Sequence, residues 1–212
     1  MRLFASLVLP STAAEHLQMA VRSVEATAPD PSAGRGRPLL RWVPPEQRHI
    51  TLAFYGEVPA GAVDGLTAVL GAVVADVPPF PVRIRGAGVF TGRTLWAGVQ
   101  YAGAEQPGPE QGAANSSPLL QLMRTSETVG AKFARRSDAV AQRDRRRAHV
   151  TLARARGRRD GEQQLRTRAE ALAVYEGPTW TVTDAQLVLS ELGQGPSGGP
   201  LYTTLAELPL GG

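Results

Sequence analysis

Apolar positions recur along this chain with two periods, and each period predicts an element. Arg2 to Leu9 is a nearly continuous apolar run of strand length. Thr12 and Glu15 then stand at capping-box spacing ahead of Leu17, Val21 and Val24, which share one helical face. A Pro/Gly/Ser-rich linker over 28–38 leads to a short strand at 39–43, which Pro44-Pro45 ends. A β-branched stretch predicts a strand over 49–54, and Pro59 opens an Ala/Val/Leu helix reaching about Val77. Strands follow near 82–89 and 95–101. Residues 102–117 carry almost no apolar side chain and read as a flexible surface insertion.

Beyond it, Leu119, Leu122, Met123 and Val129 mark a helix. The basic stretch 131–147 shows no clear period, and a second β-branched strand occupies 148–153. A helix around Gly161 to Tyr175 precedes strands near 180–182, 186–192 and 201–208, with a Gly-rich turn at 193–199. Two halves emerge, each with helices and several strands, so the pattern predicts an α+β protein built on a pseudo-duplication. At 212 residues the chain suits one large domain or two lobes.

The two β-branched strands begin with the same pentad, His49-Ile50-Thr51-Leu52-Ala53 and His149-Val150-Thr151-Leu152-Ala153, although the chain holds only three histidines. At background usage a given His precedes x-Thr-Leu-Ala about once in a couple of thousand cases, so the repeat points to function. Residues two apart in a strand share a face, so each His projects with its Thr while Ile50/Leu52 and Val150/Leu152 point to the core. If the two strands meet across a cleft, one neutral imidazole can accept a proton from water while a protonated one donates to a leaving oxygen. Thr51 and Thr151 then offer hydroxyls to nonbridging phosphate oxygens. Arg154 could neutralise phosphate charge, but strict alternation puts it on the face opposite His149 unless the strand bends. Phe54 holds the equivalent place in the first copy, where an aromatic either stacks on a base or packs in the core. His16, mid-helix, reads as a surface residue.

Neither pentad has an Asp, Glu or second His at strand spacing, so no metal ligand set is visible. Gly86-Ala87-Gly88 lacks the rest of a phosphate-cradling fingerprint, so no cofactor is expected. Charge changes the picture more. Residues 124–168 hold thirteen Arg and one Lys against five acids, a local +9 in a chain of net +4. Such a block suits a polyanion such as nucleic acid, and Arg143, Arg145, Arg146 and Arg147, just upstream of the second pentad, are candidates to hold its backbone. The bland alternative is a solvated, Arg-biased surface. The chain has no Cys, which excludes disulfides, no apolar run of about eighteen residues, and an N-terminal apolar stretch that suits a first strand better than a signal peptide. A cytoplasmic monomer without membrane contact is the expectation.

The residues also carry a resemblance. Arg2-Leu3-Phe4, Arg41-Trp42-Val43-Pro44-Pro45-Glu46, His49 through Phe54, Gly56-Glu57-Val58, Gly88-Val89-Phe90, Leu95 through Val99, His149 through Arg154, Leu189 through Leu192 and Tyr202 resemble the two-histidine phosphoesterase superfamily. Within it, the chain is similar to the RNA 2′,3′-cyclic phosphodiesterases, also called 2′-5′ RNA ligase-like proteins. The resemblance implies a single two-lobed domain over 1–212, with two pseudo-symmetric α+β lobes whose antiparallel sheets line a central cleft and helices on the outer faces. It implies metal-independent hydrolysis of RNA 2′,3′-cyclic phosphate ends to 2′-phosphomonoesters, with His49 as proton donor and His149 as acceptor, and in some relatives 2′-5′ ligation. Relatives commonly have Pro before the second His, where this chain has Ala148, and the 102–117 and 131–147 segments look longer than usual. Two alternatives stay open: a phosphodiesterase for another small cyclic phosphate, and an RNA-binding module without turnover.

Overall fold

In the computed structural model, which describes residues 1–27, 38–103, 117–133, 147–156, 159–195 and 198–211, the two halves are joined through the strands that carry the pentads. The elements in chain order are β1 (Arg2–Val8), α1 (Ser11–Thr27), β2 (Leu40–Trp42), β3 (His49–Glu57), α2 (Val63–Ala75), β4 (Phe80–Phe90), β5 (Thr94–Tyr101), α3 (Pro118–Gly130), β6 (His149–Ala155), α4 (Arg159–Ala171), β7 (Glu176–Val182), β8 (Asp184–Glu191) and β9 (Leu201–Pro209). The nine strands form one antiparallel sheet in the order β7-β4-β5-β6-β3-β1-β8-β9, with β2 added beside β6. The predicted sheets of two lobes are thus halves of one sheet, each running from a pentad strand through three more strands.

The joint is narrow. β3 and β6 pair at Ile50 and Val150, the residue after each His. Pairing equivalent positions of two antiparallel strands creates a local two-fold relation between the halves. Ile50 and Val150 are both fully buried, as are Leu52 and Leu152 to within 1%. Helices cover the apolar side of each half: α3 packs on β3 and α2 on β8 and β9, while α4 packs on β4, β5 and β6 and α1 on β7. α1 follows β1 in sequence yet covers the other half, which ties the halves together.

Most predicted elements fall where the pattern put them, with differences at the ends. α1 begins at Ser11, so Thr12 lies in its first turn rather than at the cap. β3 continues past Phe54 to Glu57 because Gly56 and Glu57 still pair with Leu3 and Arg2 of β1, across a bulge at Tyr55 beside which Gly56 takes a positive φ of 65°. β7 starts at Glu176, longer than its sparse apolar pattern suggested, because it is held by pairing with β4. α3 is capped by Ser117, whose hydroxyl oxygen accepts from the Leu120 N–H at 3.4 Å, with Pro118 at the first helical position. The predicted insertion at 102–117 and the basic segment 131–147 fall largely outside the described residues. Among the described residues, no helix is long and apolar enough to cross a membrane.

The β4–β5 hairpin is shaped for the site. Three residues, Thr91, Gly92 and Arg93, connect its strands; Arg93 N–H donates to the Phe90 carbonyl at 2.9 Å, and the two residues between, Thr91 and Gly92, have positive φ (49° and 68°), the sign that matches the twist of a hairpin. On β4, Gly88 leaves room for the Trp96 ring of β5: a Cβ there would stand 2.4 Å from the indole. Replacing Gly88 with Ala is therefore expected to displace a buried indole and destabilise the fold by about 1–3 kcal/mol. Calorimetry should record a Tm lowered by roughly 2–4 °C per kcal/mol at this chain length; an unchanged Tm would contradict the packing described.

Candidate active site

Both pentads adopt the same irregular strand. In β3, Ser6 pairs with Thr51 and Ala5 with Ala53, so Leu52 is the extra residue of a β-bulge. In β6, Trp96 pairs with Thr151 and Leu95 with Ala153, so Leu152 is the extra residue at the corresponding place. The bulge resets the alternation. Positions 49 and 51 face outward, 50, 52 and 53 are buried, and 54 faces outward again; positions 149 to 154 repeat the sequence of burial. Phe54 and Arg154 therefore join the histidines and threonines on one face, where strict alternation would have turned Arg154 away. The Ile50–Val150 pair sets the arrangement across the joint: antiparallel register places Thr51 opposite His149 and His49 opposite Thr151.

Each imidazole is held the same way. The His49 Nδ1–H donates to the backbone carbonyl of Gln47 at 2.8 Å, and the His149 Nδ1–H donates to that of Arg147 at 2.7 Å. A carbonyl only accepts, so both neutral rings carry their proton on Nδ1 and leave Nε2 for chemistry. The residues supplying these carbonyls are themselves tied down. The Gln47 side-chain amide donates to the Pro200 carbonyl at 3.0 Å, and the Arg147 guanidinium lies 4.8 Å from the centre of the Trp96 ring. Aromatic walls complete each pocket: Phe4 stacks on His49 at 4.9 Å with Tyr202 edge-on at 5.4 Å, and Phe90 meets His149 edge-on at 4.9 Å with Trp96 at 6.4 Å.

A cleft of about 620 Å³ opens on this face, bordered by His49, Thr51, Thr151, Phe54 and Arg154. Arg2, Arg41, Arg156, Trp42 and Tyr202 border it as well, and no carboxylate does among the described residues. Phe54 is 39% exposed, with the Arg2 guanidinium 4.7 Å over its ring. Burial is the main influence that lowers the proton affinity of His49. The Gln47 hydrogen bond opposes it, while the nearby charges of His149 and Arg154 lower it further, so the free protein holds His49 neutral. Burial raises the Tyr202 phenol, with Arg154, Arg41 and Arg2 pulling it back down. No group of three or more His, Asp or Glu side chains stands ready to hold a metal among the described residues.

The structure thus places His49, Thr51, Thr151, Arg154 and Phe54 on the cleft, with His149 beside them on the same face by register but not among the residues that border it. Arg143, Arg145 and Arg146 lie outside the described residues, and Arg147 is engaged with Trp96. His16 sits outside the cleft, on exposed α1, with Nδ1 2.9 Å from the Tyr175 hydroxyl. Sequence reasoning assigned no role to Gln47, Phe4, Tyr202, Phe90 or Trp96, nor to Arg2, Arg41 and Arg156. One signal was available: Gln47 and Arg147 both stand two residues before a pentad.

The chain is similar to known proteins over most of its length. The profile of the 2′-5′ RNA ligase superfamily matches residues 8–194. A relative from Methanothermobacter thermautotrophicus named RNA 2′,3′-cyclic phosphodiesterase is 29% identical over 177 residues, covering 81% of this chain and 83% of the relative. One of the same name from Thermus thermophilus is 29% identical over 215 residues, covering 100% of this chain and 91% of the relative. The fold is similar to that of a Thermus thermophilus protein known from its crystal structure, with TM-score 0.65 and 25% identity over 100% of this chain and 99% of that one. It is similar also to E. coli LigT complexed with phosphate, with TM-score 0.60 and 25% identity over 100% of this chain and 98% of that one.

The lowered proton affinity of His49 has a stability consequence. Its contribution is complete above the unfolded-state value of about 6.5 and is lost as pH falls through the depressed folded-state value. Tm of the free protein is expected to decline as pH drops below about 6.5, and His49→Gln, which cannot titrate there, should reduce that decline. Equal slopes in the two proteins would show that His49 is not held neutral.

Proposed function

The chain belongs to the 2′-5′ RNA ligase superfamily, and from that premise we propose that it hydrolyses RNA 2′,3′-cyclic phosphate ends to 2′-phosphomonoesters by paired-histidine catalysis. The observation that carries the reading is the symmetric pair of imidazoles on one sheet face, each with its Nδ1–H bound to a carbonyl so that Nε2 is the nitrogen left to exchange protons. Relatives named RNA 2′,3′-cyclic phosphodiesterase supply the substrate class.

The chemistry follows from these groups. His149 Nε2 takes a proton from water as the oxygen attacks phosphorus. The P–O3′ bond breaks, and His49 Nε2–H gives its proton to the departing 3′-oxygen, leaving a 3′-hydroxyl and a 2′-phosphate. Thr51 and Thr151 donate to the nonbridging oxygens, and Arg154 offsets their charge. The free protein disfavours the imidazolium at His49, but an anionic phosphate beside it favours that form. Substrate therefore loads the donor. A 5′-hydroxyl in place of water would yield a 2′-5′ linkage through the same proton transfers. Phe54 offers a ring to a base, and Arg143, Arg145, Arg146 and Arg147, close upstream of His149 in sequence, supply positive charge for a longer RNA backbone. A cytoplasmic monomer is part of the same proposal, and the absence of Cys suits that compartment.

The test is to incubate an RNA ending in a 2′,3′-cyclic phosphate with the protein in EDTA and identify the product. A 2′-phosphomonoester is expected, with a bell-shaped pH dependence belonging to the pair of imidazoles. His49→Ala and His149→Ala should each lower turnover by about 10²- to 10⁴-fold with the fold intact. Activity abolished by EDTA and restored by metal, or near wild-type turnover in either variant, would overturn the mechanism.

A further inference from the structure

Two strands of the cleft set like charges directly opposite one another. Arg41 of β2 pairs in register with Arg154 of β6, and residues so paired have Cα atoms about 5.5 Å apart when their backbones exchange hydrogen bonds. The bonds flanking the pair have that phase: Val43 N–H donates to the Leu152 carbonyl at 2.8 Å, and Arg156 N–H to the Leu39 carbonyl at 2.8 Å. Directly opposed like charges destabilise a sheet. Arg156, two residues beyond Arg154, shares its face. All three arginines border the cleft, and no carboxylate borders it among the described residues. Arg41 and Arg154 both act on the Tyr202 phenol, which locates their charges at the same wall.

One phosphate does not account for this cluster. The reacting phosphate is held by the two threonines and Arg154 beside the imidazoles. Along β6 the outward residues run Thr151, Arg154, Arg156, so Arg156 stands farther from the reacting centre, while Arg41 flanks Arg154 from β2, on the side of Arg154 away from β5. We infer that Arg41 and Arg156 form a second phosphate subsite, which takes the phosphate on the 5′-oxygen of the terminal nucleotide. This rests on the reading of the cleft as the site for a cyclic phosphate end, and it adds a specificity: the preferred substrate carries a 5′-side phosphate, whether a free monophosphate or the preceding linkage of an RNA strand. Guanidinium forks suit such an anion because each presents two parallel N–H donors. An anion between Arg41 and Arg154 also relieves their mutual repulsion.

Binding tests the subsite without any need for turnover. Calorimetric titration with adenosine 2′-monophosphate and adenosine 2′,5′-bisphosphate compares one phosphate with two on the same nucleoside. The wild-type protein is expected to bind the bisphosphate at least tenfold more tightly. Arg41→Gln and Arg156→Gln should each reduce that ratio to about threefold or less, while Arg22→Gln, which removes one charge from α1 outside the cleft, should leave it intact. A wild-type ratio near one, no binding of either nucleotide, or a ratio that survives both cleft substitutions would overturn the subsite. Hydrolysis of a 5′-hydroxyl nucleoside 2′,3′-cyclic phosphate is measured in parallel. Turnover without the affinity ratio defeats the subsite alone, and the ratio without turnover on any cyclic phosphate defeats the catalytic reading alone.

Discussion

The pairing of Ile50 with Val150 fixes the geometry on which the cleft depends. These residues occupy the same place in two copies of one pentad, so their pairing relates the copies by a local two-fold. The outward His of each copy then stands opposite the outward Thr of the other. Both residues are fully buried, so sliding by one position would expose the apolar set of each strand and bury its His and Thr. The bulges at Leu52 and Leu152 add a second constraint. They bring the sixth residue of each copy to the open face, and there the two halves differ: Phe54 offers a ring, Arg154 a charge.

Near-symmetry in the scaffold coexists with asymmetry in the environment. Each imidazole donates from Nδ1 to a carbonyl two residues upstream and is walled by two aromatic rings. Gln47 is anchored to Pro200, near Tyr202, whereas Arg147 is anchored on Trp96 itself. His49 sits under burial and beside Arg154, which together keep it neutral until an anion arrives. A fold with paired halves thus supplies two like groups in unlike surroundings, the kind of difference from which a donor and an acceptor could be made.

Much of this was legible in the residues. The pentads stood out because histidine is rare in the chain, and the periods located the elements because strands and helices here are amphipathic in ordinary ways. What lay beyond reach has physical causes. A bulge is a property of two paired strands, so no single-strand alternation could bring Arg154 to the open face. The carbonyls of Gln47 and Arg147 act through backbone atoms that side-chain identity does not reveal. Arg2, Arg41 and Arg156 lie far apart in sequence and meet only through β1, β2 and β6. The compositional signal instead drew attention to the dense run 143–147, of which Arg147 alone is described, its guanidinium stacked on an indole rather than directed at the cleft.

The central claim is that both imidazoles present Nε2 to one shared face. Long-range proton–nitrogen NMR on histidine-labelled protein reads this directly, and with three histidines in the chain the spectrum is simple to assign by substitution. At about pH 8, well above the ordinary imidazole value, His49 and His149 are expected to show the Nδ1–H tautomer with an unprotonated Nε2. An Nε2–H tautomer at either residue would mean that its ring is turned away from the arrangement described, and the paired acid/base account would fail.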